Sequence, residues 1–443
     1  MPGTRRLFAN PPAESAPEPR EPHPVKRGWC PDVLHPMPTG DGLLVRLHPP
    51  LGRLTSDQLR VIATAARSCG NGLIDVSSRG NLQIRGLREY SHPALVEQLA
   101  AADLVGPLLH RTMVSPLAGG DPTDHVDAAA LAERVEAAVQ TVHGLPGKLT
   151  IAIDGGGLFP LGELNADIYA VAIDLGSITI GLAAAEGPRW CGTVSPMELP
   201  SAIAALLVDF AEAIARGRSS AAIRDMPADL CAELAAAARL GPPTVLSRRP
   251  PAPQAGVVQI PGGGAGVVLA LPFGRCDADA LTRIAGWAER FGDGEVRLSP
   301  WRGIVLPAVR RQDLGTLISL AAGAGLITEP DDPRLAVFAC PGRPDCANAS
   351  VMTRHDAARL AIAARPLLRT GAGIHVSGCA KGCAHPGPAA LTLVGDNGAY
   401  AVVVEGSPHG PAVARLAIDD IEHRLASLET RGGLASRFSA AEA

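Results

Sequence analysis

The chain repeats itself. Gly52-Arg53, Asp57, Leu59, Ile62, Asn71-Gly72, Ile74, Val76 and Ser77 return 222 residues on as Gly274-Arg275, Asp279, Leu281, Ile284, Asp293-Gly294, Val296, Leu298 and Ser299. One inserted residue then carries Arg79-Gly80 to Arg302-Gly303. A repeat of this kind forces one supersecondary unit to be used twice. Each copy predicts a helix followed by a strand. Leu59, Ile62, Ala63 and Ala66 recur at helical spacing, as do Leu281, Ile284, Ala285 and Ala288. Thr55 or Ser56, and Asp277, suit the helix N-caps, and Gly70 and Gly292 the stops. Strands are expected at 73–76 and 295–298. Each runs into Ser-x(1–2)-Arg-Gly, a motif that a purely structural duplication does not require.

The later part of each copy repeats more loosely. Leu149 to Ile153 reads as a strand ending at Asp154-Gly155-Gly156-Gly157, followed by a hairpin over 167–182. Its counterpart is a strand at Ile374 to Val376, ending at Ser377-Gly378-Cys379, with a hairpin over 390–404 turning on Asp396-Asn397-Gly398. A glycine loop in one copy therefore matches a cysteine loop in the other.

Cys340, Cys346, Cys379 and Cys383 form a C-x5-C pair and a C-x3-C pair, 32 residues apart. Two thiolate pairs on two loops suit a tetrahedral metal ion or an iron–sulfur cube. Zinc knuckles space their cysteines two to four residues apart. The wider first gap, filled in part by Pro341-Gly342-Arg343-Pro344, favours a [4Fe–4S] cluster, with zinc as the alternative.

Composition narrows the class. Charged residues make up 19% and the net charge is −4, which argues against a nucleic-acid binder. No apolar run reaches the roughly 18 residues of a membrane span, and no secretory h-region is visible at the N-terminus. Nine cysteines, five of them without a motif, fit a reducing cytoplasm. Proline-rich segments mark a flexible tail over 1–26 and a linker over 241–255.

Together the duplicated halves and the cysteine pattern resemble the sirohaem nitrite and sulfite reductase superfamily, over residues 28–425. Longer strings resemble its precorrin-3B synthase branch: Arg27-Gly28-Trp29-Cys30-Pro31, 38–46 (PTGDGLLVR), 78–86 (SRGNLQIRG) and 375–386 (HVSGCAKGCAHP). The resemblance implies an α+β fold. Its pseudo-twofold duplication would pair a ferredoxin-like half-domain with a reductase cofactor domain, at 27–106 and 107–240, then 256–330 and 331–425, with a tail over 426–443. It implies an O2-dependent monooxygenase that hydroxylates precorrin-3A at C20 and closes a γ-lactone. The implied cofactors are the cluster on the four cysteines and a mononuclear non-haem iron. Electrons would come from NADH through an external reductase, because Gly262-Gly263-Gly264 lacks the context of a dinucleotide fold. The alternative is a sirohaem-dependent sulfite or nitrite reductase. An iron–sulfur electron carrier and a zinc-stabilised binding protein are further alternatives.

A precorrin bears many carboxylates, which calls for cationic partners. Arg79, Arg85, Arg111, Lys148 and Arg302 are the candidates, against the alternative of solvated surface charges. Sulfite reductases carry Lys-x-Lys where this chain has Lys148-Leu149-Thr150, so one cation for a small anion is missing. His375, His385, His110, His125 and Asp124 are conceivable iron ligands without a defining motif, and Lys381 is a further cation near the cysteines.

Overall fold

The computed structural model describes residues 30–106, 111–244 and 246–439. The expected tail over 1–26, the motif residues Arg27, Gly28 and Trp29, and His110 lie outside the described residues. The fold is α+β, with four five-stranded sheets in two related pairs.

The repeated helices form as their sequences direct. Thr55 caps Ser56–Cys69 by accepting from Gln58 N, and the Gln58 side chain accepts from Thr55 N, closing a capping box. Asp277 caps Ala278–Phe291 by accepting from Ala280 N at 2.7 Å. The helices stop at Gly70 and Gly292. A Cβ on Gly70 would stand 2.3 Å from the Arg85 carbonyl oxygen, so a side chain there would push the neighbouring strand away.

Each half then lends a strand to the other. Arg53–Thr55 pairs with Glu295–Ser299 of the second copy, and Arg275–Asp277 pairs with Leu73–Val76 of the first. Leu59, Ile62, Leu281 and Ile284 meet in one buried cluster. The ferredoxin-like halves therefore share a single core rather than enclosing one each.

The cofactor-domain sheets have the same plan in both copies. Thr112–Val114, Ile151–Asp154 and Ile168–Ala172 run parallel, then Ile178–Leu182 and Arg189–Val194 each pair antiparallel with the strand before. Val337–Ala339, Ile374–Ser377 and Ala389–Asp396 run parallel in turn, followed by Ala399–Gly406 and Ala414–Leu416. The described residues past 426 do not trail away as a tail. Leu434 and Phe438 are buried in the core of the last sheet. The 241–255 segment is also tied down, since Arg249 pairs with Asp154 at 2.9 Å.

Candidate functional site

A cleft enclosing about 640 Å³, open solvent included, lies where the first ferredoxin-like sheet meets the first cofactor-domain sheet. Strand Gly42–Leu47 sends Arg46 into it, and the turn after Leu73–Val76 sends Arg79 and Asn81. Arg111 and Thr150 enter from the residues just before Thr112–Val114 and Ile151–Asp154. Leu298 and Pro300 of the second copy close one side.

The cleft is cationic. Burial lowers the Arg46 pKa from its ordinary value; the Cys30 thiol opposes the shift and the Arg79 charge adds to it. Among the described residues no Asp or Glu forms an ion pair with Arg46 or Arg79, and Arg46 Nε is buried without a hydrogen-bond partner. Two neighbouring guanidinium groups without a carboxylate can pair with one that a ligand brings. Arg111 is partly committed to the fold, donating from Nη1 to the Pro146 carbonyl at 2.8 Å.

The other three candidates stand elsewhere. Arg85 is buried, with Nη2 donating to Asp41 Oδ1 at 2.8 Å and to the Asp345 carbonyl at 2.8 Å. Arg302, the repeat of Arg79, donates to the Ala384 carbonyl at 2.7 Å beside Cys383. Lys148 is exposed two residues before Thr150 and does not line the cleft. The repeated arginines thus meet different surroundings, one at the cleft and one at the cysteine loops. Arg46 was not singled out from the sequence. A signal existed: it interrupts an apolar strand, and the ladder matches its pairing with Gln83 to the pairing of Val268 with Val305.

The cysteines gather at the end of the last sheet. Cys340 follows Val337–Ala339 and Cys379 follows Ile374–Ser377, so both leave the carboxyl ends of adjacent parallel strands. Gly378 N donates to Cys340 Sγ at 3.1 Å. The first loop is seated against the other half: a Cβ on Gly40 would stand 2.6 Å from Ala347 N and 2.7 Å from the Cys346 carbonyl carbon. Desolvation pushes the Cys383 thiol up to about 11 against the pull of Lys381, and the other three thiols add to the rise. Burial raises Cys379 as well, with Cys346 and Cys340 adding to it. Both shifts oppose ionisation of Cys379 and Cys383 unless a cationic centre binds them. Among the described residues no three His, Cys, Asp or Glu side chains close tightly enough for a single metal ion. The C-x5-C and C-x3-C spacing suits an iron–sulfur cluster better than a zinc knuckle.

The family model of the nitrite/sulfite reductase ferredoxin-like half domain matches residues 35–102 and 258–323, the two repeats. The structure of the Mycobacterium tuberculosis NirA protein superposes with a TM-score of 0.70 over 87% of this chain and 79% of that one, at 20% identity. A ferredoxin–nitrite reductase of Synechococcus elongatus is 27% identical over 80% of this chain and 76% of its own. A precorrin-3B synthase of a Sinorhizobium species is 34% identical over 87% of this chain and 84% of its own length. The chain belongs to the precorrin-3B synthase family.

A second, mononuclear iron is harder to place in this precorrin-3B synthase family member. His375 is fully buried, with His385 edge-on to it at a ring separation of 5.9 Å. Burial, then the charges of His385 and Arg302, push its pKa down to about 4, so the ring is neutral. Among the described residues no third ligand joins this pair to hold an ion. His125 is exposed, and Asp124 lies among Asp121, Asp154 and the glycine loop. The described residues do not fit a mononuclear iron site.

Proposed function

We propose that this protein is a precorrin-3B synthase: an oxidoreductase that hydroxylates precorrin-3A at C20 with O2 and forms the γ-lactone in aerobic cobalamin biosynthesis. Identity of 34% to a precorrin-3B synthase across most of both chains carries this reading, since the nitrite reductases match at lower identity. The cleft supports it. Arg46 and Arg79 offer donors to substrate carboxylates, and Arg111, Asn81 and Thr150 add polar contacts. Thr150 leaves the cleft without the second lysine expected of a site for a small anion.

Cys340, Cys346, Cys379 and Cys383 would hold a [4Fe–4S] cluster, which supplies electrons one at a time. The electrons would come from NADH through a separate reductase in the cytoplasm. The Gly262-Gly263-Gly264 run supports an indirect route. It lies in the turn between strands Gly256–Gln259 and Ala265–Ala270, not in a strand-to-helix phosphate loop.

The test is incubation of anaerobically purified protein with precorrin-3A, a reductase, NADH and isotopically labelled O2. The expected product carries one labelled oxygen and a lactone. Stoichiometric sirohaem extracted from the protein, with turnover of nitrite or sulfite and none of precorrin-3A, would overturn the assignment.

A further inference from the structure

Val337, Ala339, Ile374 and Val376 face the helix-covered core of the last sheet. Strand alternation places Phe338, His375 and Ser377 on the other face, and Cys340 follows just past the strand's end, its Sγ 3.1 Å from Gly378 N and 3.9 Å from Thr353 Oγ1. The register sets Phe338 beside His375, with Cys340 one step further along the same edge. His385 stacks on the Phe338 ring at 4.6 Å and closes over His375. Arg302 completes the enclosure. It is anchored on the Ala384 carbonyl, and its charge acts on both the Cys340 thiol and the His375 ring.

Inside this enclosure His375 has no exposed surface, and neither ring nitrogen has a hydrogen-bond partner. Buried polar groups are almost always partnered. A neutral imidazole has one N–H to give, and the Arg302 charge acts on both this ring and the Cys340 thiol.

We propose that His375 is a positioning residue for the cluster, donating its ring N–H at the Cys340 edge and favouring the reduced form. The inference rests on the cluster assignment of the proposed function. Hydrogen bonds to the sulfurs are among the features that set cluster potentials. They favour reduction because the added electron makes the sulfurs stronger acceptors.

The test reads the cluster, not turnover. Wild-type protein carrying nitrogen-15 histidine is reduced and examined by pulsed electron paramagnetic resonance. A weak histidine nitrogen coupling is expected, and His375→Gln should abolish it. In a redox titration His375→Met should lower the reduced-to-oxidised ratio at fixed potential about tenfold, which is about 59 mV for one electron. His375→Gln, which keeps an N–H donor, should stay nearer wild type. A wild-type cluster without histidine coupling overturns the inference whether or not the variants fold. So does His375→Met with full iron and sulfide at the wild-type potential. Wild-type protein devoid of iron and sulfide would instead overturn the cluster assignment, and the inference with it.

Discussion

Arg85 donates to the backbone carbonyl of Asp345 at 2.8 Å, joining a strand of the first half to the loop that carries Cys346. The same guanidinium holds Asp41 through Nε at 3.0 Å and Nη2 at 2.8 Å. The Asp345 carboxylate pairs with Arg275, which also binds Asp75 through Nε at 2.7 Å. Arg354 reaches Asp75 at 3.0 Å. Three arginines and three carboxylates are thus packed between the two repeats and the cysteine loop.

Removing one member of a buried network leaves its partners charged and unpaired. Arg85→Leu strands Asp41 and loosens the Asp345 loop, and breaking a buried pair in this way costs about 3–5 kcal/mol. Chemical denaturation should show that loss. Iron content should fall with it, while substrate affinity of the folded fraction stays at wild type because Arg85 is outside the cleft. Full stability in Arg85→Leu would mean that the network is dispensable.

The cleft arginines should behave in the opposite way. Arg79→Ala and Arg46→Ala each remove a charged hydrogen-bond donor from the cleft wall. Each should weaken precorrin binding by about 1.5–3 kcal/mol and change stability little. Arg302→Ala, at the cysteine loops, should leave substrate affinity unaltered and disturb the cluster's spectrum. Fluorescence or calorimetric titration separates the cases, and loss of affinity in Arg302→Ala alone would invert the assignment of the two repeats.

Cys379→Ser removes one of four proposed ligands at the end of a central strand. Iron and sulfide should drop to near background, with the visible absorption lost. Cys276→Ser is the matching control. That thiol is buried in the core shared by the two repeats, and its loss should leave iron and sulfide unchanged. Equal metal content in both variants would refute the ligand set.

Much of this architecture was legible because local chemistry and periodicity agree. Thr55, Asp277, Gly70 and Gly292 mark helix ends that the structure keeps, and Asn397-Gly398 turns the last hairpin where it was expected. The exchange of Arg53–Thr55 and Arg275–Asp277 was not legible. A three-residue edge strand has the same alternation whichever sheet it joins, so its partner is chosen by the pseudo-twofold packing. The arginines divide for the same reason. Arg79 and Arg302 share a motif, yet the cysteine loop exists in one copy only, so equal local sequences meet unequal surroundings. From the sequence Arg85 reads as a cation for a substrate carboxylate, and only the tertiary fold brings Asp41, Asp75 and Asp345 around it.

Asp124 offers a test in a region the cleft does not touch. It lies beside Asp121 and Asp154, and Arg249 is held by Asp154 through contacts of 2.9 Å to both of its oxygens. Burial, then the Asp121 charge, pushes the Asp124 pKa up to about 7. A carboxyl with a raised pKa binds its proton more tightly when folded than when unfolded. Its contribution to stability is full below about pH 4 and is lost as pH rises towards about pH 7. On this account wild-type protein loses on the order of 2–4 kcal/mol between those limits. Asp124→Asn cannot ionise and should lose none of it. Urea denaturation of both proteins at several pH values in this range gives the difference directly. It should widen in favour of the variant as pH rises and level off above about pH 7. Parallel stability profiles would show that Asp124 is ionised in the folded protein throughout this range.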